Sequence, residues 1–147
     1  MRFQFRLQTL LRLREAARDE RREQLAEVMR IDDALRKQLA ELEGLQSEAR
    51  ALQRLVVGRV DVDRLLEAQR YEAVVALEIL HVERQRAAVA EEMNKRREAL
   101  VEADREFRVL EKLREKRLQE HGTEALAQEM KVLDEAAGRM KREEVDV

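Results

Sequence analysis

The sequence predicts an all-α protein: a long antiparallel two-helix coiled-coil hairpin with an overhanging C-terminal helix. Three observations carry this. The 147 residues contain no proline, no cysteine and no tryptophan, with 42 % charged and 3 % aromatic residues; that composition belongs to long helices and coiled coils. An apolar stripe with a period of 3.5 residues runs along most of the chain. One stretch, "VVGRVDVD" from Val56 to Asp63, interrupts it.

The first helix is expected over about residues 3–57. Steps of four and three from Phe3 reach Leu7, Leu10, Arg14, Ala17, Arg21, Gln24, Val28, Ile31, Leu35, Gln38, Leu42, Leu45, Ala49, Leu52 and Val56, twelve of sixteen apolar. Such a stripe predicts the buried seam. Gly44 falls inside this periodic stretch and reads as a tolerated helix glycine. The turn is expected at about 58–61. Gly58 can end the first helix in a left-handed conformation, and Asp61 or Asp63 can cap the second by accepting a backbone N–H.

The second helix is expected over about 62–140. Its seam runs through Leu65, Ala68, Glu72, Val75, Ile79, Val82, Arg86, Val89, Met93, Arg96, Leu100, Ala103, Phe107 and Leu110, eleven of fourteen apolar. After a phase change near Leu113 it continues weakly through Leu126, Met130, Leu133, Ala137 and Met140. A short break favours antiparallel neighbours. Folding about residue 59 sets residue i opposite 118 − i, so that Leu42 and Leu45 face Ala76 and Ala73. A helix of some 55 residues is about 80 Å long, and roughly thirty residues of the second helix should then overhang, an outcome of the same rise per residue.

Several function classes are disfavoured. The net charge is −2 with finely mixed signs, whereas a nucleic-acid binder carries a basic face. Without cysteine there is no thiol nucleophile or zinc–thiolate site. No apolar run is long enough to span a membrane. His81 and His121 read as surface residues far apart along a rod. No glycine-rich phosphate loop is present, and a two-helix rod offers no ordinary concave pocket. The chain is read as a non-enzyme without cofactor or metal.

The opening stretch "MRFQFRLQTLLRLRE" has four arginines before its first acid. A transit peptide shares that bias, but the Phe3 heptad enters the first seam without a change of phase. Closure of the open end is therefore expected, with Phe3, Phe5 and Leu7 packed on Leu110, Leu113 and Leu118. "AVVALEILHV", Ala73 to Val82, carries one acid and no Lys or Arg. Val74, Leu77 and Leu80 lie off its seam, and a helix apolar beyond its seam has either a wide packed stripe or a further partner.

"FQFRLQTLLRLRE" resembles the N-terminal signature of the FliJ family, a soluble component of the flagellar type III export apparatus. "REFRVLEKLREKRLQEH", Arg105 to His121, resembles that family's second characteristic segment. The resemblance implies an antiparallel coiled coil similar to the shaft of rotary ATPases. It also implies a cytoplasmic protein, held peripherally at the inner-membrane export apparatus by its protein partners. The implied partners are the export ATPase ring, the cytoplasmic domain of the export gate, and export chaperones. Arg6, Arg12, Arg14, Arg114 and Arg117 mark the end expected to enter the ring; Tyr71, Val74 and Val75 mark the expected gate contact. Alternatives are a generic dimeric scaffold, the stalk protein of a virulence-type secretion system, and a periplasmic-type hairpin chaperone.

Overall fold

The computed structural model describes residues 2–54 and 61–145. Among these residues the chain is all-helical and holds two long helices packed against each other. Helix α1 is Gln8–Arg54 and α2 is Val62–Val145. The turn expected at Gly58 lies outside the described residues.

The start of α1 departs from expectation. Residues 2–5 have no helical conformation, and the helix begins at Gln8 rather than near residue 3. The Gln8 amide donates to the Phe5 carbonyl at 3.1 Å, and the Leu11 amide to the Leu7 carbonyl at 2.8 Å. The alternation of Phe3 and Phe5 with polar neighbours suits an extended segment better than a helix. At α2 the expected cap is present. The Asp63 amide donates to Asp61 Oδ1 at 3.1 Å, which satisfies one of the donors that the first helical turn leaves without a partner, and the Leu65 amide makes the first intrahelical bond to the Asp61 carbonyl at 3.0 Å. Gly122, a weaker expected break, does not interrupt α2.

The packing divides into two compact units, residues 19–101 and residues 1–18 with 102–147. In the 19–101 unit, Val28 and Ala49 of α1 and Val75 and Val82 of α2 are buried, Val82 completely. The cross-helix polar pairs there include Gln24 with Arg96, Asp32 with Arg86, and Arg50 with Glu72, and Glu27 also lies 3.8 Å from Arg96. The two members run in opposite directions along the chain. Asp32 and Arg86 obey the expected 118 − i rule; the Gln24 and Arg50 partners lie two and four residues beyond it. In the other unit Leu11 and Phe107 are buried. Phe3 meets the His121 ring at a centroid distance of 5.6 Å. From Arg114 onward every described residue except His121 is exposed.

The expected α2 seam is present: every position from Ala68 to Leu110 is buried or half-buried. In α1 only half of the expected seam is. Arg14, Val28, Leu35, Leu42 and Ala49 face inward. The alternate members Leu10, Ile31, Leu45 and Leu52 are exposed, and their following neighbours Leu11, Asp32, Gln46 and Gln53 are turned in instead. The stripe in use lies half a residue step, about 50°, to the side of the more apolar one. Of its polar members, Asp32, only 6 % exposed, accepts from Arg86 Nε of α2 at 3.3 Å and pairs with Arg36 of its own helix at 3.1 Å. A buried charge is tolerated when it is paired in this way. Gln53 Nε2, by contrast, is buried without a hydrogen bond among the described residues.

Candidate partner-binding surfaces

In the 19–101 unit the seam takes up Val75, Ile79 and Val82 of the apolar stretch Ala73–Val82. Apolar side chains on the remaining faces of a helix have no seam left to enter. Tyr71, Val74, Leu77 and Leu80 are accordingly exposed, by 48, 57, 67 and 43 %. Val75, expected beside them, is 4 % exposed and belongs to the packed interior; of the three expected gate residues, only Tyr71 and Val74 are presented at the surface.

Next to Tyr71 lies a groove of about 450 Å³, lined by Leu45, Ala49, Leu52, Leu65, Ala68 and Tyr71 with Glu48, Gln53, Asp61 and Arg64. Sequence reasoning missed it because it placed Leu45, Leu52 and Leu65 in the seam. The signal was available in Asp32 and Arg86, opposite charges at positions that can meet across the helices.

In the unit of residues 1–18 and 102–147, Arg6, Arg12, Arg114 and Arg117 are exposed. Arg14 is engaged: its guanidinium donates to Glu106 Oε2 at 2.7 Å, both side chains 43 % exposed. A half-exposed pair of this kind contributes little to stability, so an incoming acidic group can compete for Arg14. A shallow hollow of about 290 Å³ lies beside it, with Leu10, Glu102, Arg105, Val109 and Leu110 in its walls. Arg18 is turned inward, its guanidinium carbon 4.3 Å from the Phe107 ring centroid. His121 is half-buried against Phe3 rather than freely exposed.

Among the described residues, the carboxylate held most clearly away from its ordinary value is Glu72. The Arg50 Nε–H donates to its Oε1 at 2.7 Å, which holds the Glu72 carboxyl below its usual range. The pair bridges two helix surfaces, and Arg50 also lines a shallow hollow of about 350 Å³ with Glu43, Gln46, Ser47, Ala51 and Arg54. Among the described residues, no group of three or more His, Asp or Glu side chains could hold a metal ion, and no helix is long and apolar enough to cross a membrane.

The described residues form two packed helices, with exposed apolar side chains on the 19–101 unit and exposed arginines on the other. The family model described as "Flagellar FliJ protein" matches residues 3–144, and the chain belongs to the FliJ family. Membership implies a component of flagellar type III export. No curated protein and no solved structure matches the chain.

Proposed function

We propose that this chain is a non-enzymatic shaft and adaptor of the flagellar export apparatus. Its two helices form an antiparallel coiled-coil hairpin. The end bearing Arg6, Arg12, Arg14, Arg114 and Arg117 enters the export ATPase ring, where arginine forks can meet carboxylates and carbonyls. The Tyr71–Val74 face contacts the cytoplasmic domain of the export gate, and the rod hands on export chaperones. These contacts hold the protein peripherally at the inner membrane.

The observation that carries this reading is the row of exposed apolar side chains Tyr71, Val74, Leu77 and Leu80, which winds over the sides of α2 turned away from the seam, on a chain that matches the family from residue 3 to 144. Exposed apolar residues in a cluster mark a contact surface. The test is Val74→Asp in the full chain, assayed for capture of the gate's cytoplasmic domain and of the export ATPase. The expected result is unchanged helicity, a loss of gate binding of tenfold or more, and unaltered ATPase binding. Retained gate binding removes the assignment of that face. A pull-down from flagellated cells that recovers neither partner removes the shaft reading.

A further inference from the structure

Within the 19–101 unit, α1 carries two overlapping stripes and packs the less apolar one. Val28, Leu35, Leu42 and Ala49 belong to both. The stripe in use adds Asp32, Leu39, Gln46 and Gln53, while the other adds Ile31, Gln38, Leu45 and Leu52. Three of the latter four are apolar and none is charged, yet Ile31, Leu45 and Leu52 are 48, 41 and 67 % exposed. The two stripes differ by half the angle between successive residues, a rotation of about 50°.

We propose that this unit is a two-register switch, in which α1 can rotate by that angle and slide about four residues, some 6 Å, along α2. It rests on the antiparallel coiled-coil reading. In the second register Ile31 comes opposite Met93, Leu45 opposite Ile79, and Gln38 opposite Arg86, so that like meets like at these three positions, while Val28 comes opposite Arg96 and Leu52 opposite Glu72. The observed register keeps the paired charges of Asp32 with Arg86 and of Arg96 with the Gln24 carbonyl, the last at 2.6 Å. The second releases Asp32 to water and buries Ile31 and Leu45. Each state thus has a gain that the other lacks, which is the condition for a bistable element.

The consequence concerns the groove. Leu45 and Leu52 face outward beside Tyr71 in the observed register only. A partner that covers them holds that register, and a change of register withdraws the surface. The coupling is reciprocal, because a ligand shifts a conformational equilibrium by its differential affinity for the two states.

Introduced cysteine pairs test this in the full chain, which has no cysteine of its own. Leu42→Cys with Ile79→Cys reports the observed register, and Leu45→Cys with Ile79→Cys the second. Under glutathione exchange both pairs are expected to close. Asp32→Asn is expected to speed closure of the second pair at least threefold, and Ile31→Gln to slow it at least threefold. Ile31 is two heptads from Leu45, so its effect requires the helix to turn as a body. If the first pair closes and the second does not, or if the second ignores both substitutions, there is one register and the switch is excluded. If the first pair itself fails to close, the coiled-coil reading falls, and the switch with it.

Discussion

The guanidinium of Arg18 lies 4.3 Å over the ring of Phe107. It caps a phenylalanine that is otherwise buried in a unit whose other fully packed apolar residue is Leu11. An arginine over an aromatic face is attracted by the ring quadrupole, by about 0.5–2 kcal/mol depending on desolvation. Phe107→Ala is expected to destabilise by about 2–4 kcal/mol, toward the lower end of buried phenylalanine losses because the site is narrow. Glu98→Ala, on an exposed position, serves as the reference. Urea melts of the two variants decide it: equal midpoints would show that Phe107 does not anchor this unit.

Asp32 and Arg86 form a test of the polar seam. Asp32→Ala leaves Arg86 without its carboxylate, but Arg86 retains 32 % side-chain exposure and can reach water. The expected loss is about 1–3 kcal/mol, that of a hydrogen bond between charged groups. Asp32→Leu with Arg86→Leu is expected to restore wild-type stability or exceed it, because a hydrophobic pair needs no desolvation of charge. A double variant as unstable as Asp32→Ala would show that the ion pair itself is needed.

Glu72 predicts a pH dependence. Its folded carboxyl sits below the ordinary value of 4.5 because Arg50 donates to it. Stability from this pair is fully present above the unfolded value and is lost as pH falls through the lowered folded value. Glu72→Gln should therefore cost stability at pH 7 and little at the acid end of that transition. Thermal melts of wild type and variant between pH 7 and pH 3 should converge. Parallel curves would mean that Arg50 gains nothing from the charge on Glu72.

The arginines of the 1–18 and 102–147 unit are a test of partner contact. Replacing Arg6, Arg12 and Arg14 by Gln is expected to leave helicity intact and to weaken stimulation of the export ATPase several-fold. The wild-type stimulation should itself fall with salt, since exposed charges are screened over about 8–10 Å at physiological strength. Stimulation by the triple variant equal to wild type at low and moderate salt would assign the ring-facing role to other residues, with the exposed tail after Arg117 the next to examine.

Much of this structure was legible in the residues themselves. Lack of proline and a sustained heptad determined two long helices, Asp61 determined where the second begins, and the α2 seam from Ala68 to Leu110 follows from apolar spacing alone. The spacing through Val75, Ile79 and Val82 put Val74, Leu77 and Leu80 off the seam and left open whether a wider packed stripe would cover them. What only the tertiary structure decided is which stripe of α1 packs. A heptad read from one helix marks a face wide enough to hold two seams half a residue step apart. The choice between Ile31 and Asp32, or between Leu45 and Gln46, depends on the groups that α2 sets opposite them. Arg86 gives Asp32 a partner and Phe107 gives Arg18 a ring, so polar residues turn inward and leucines turn out. The same contacts decide that Val75 is interior and that Leu45, Leu52 and Leu65 wall a groove. Apolar spacing counts residues along one helix; burial is settled by pairs across two.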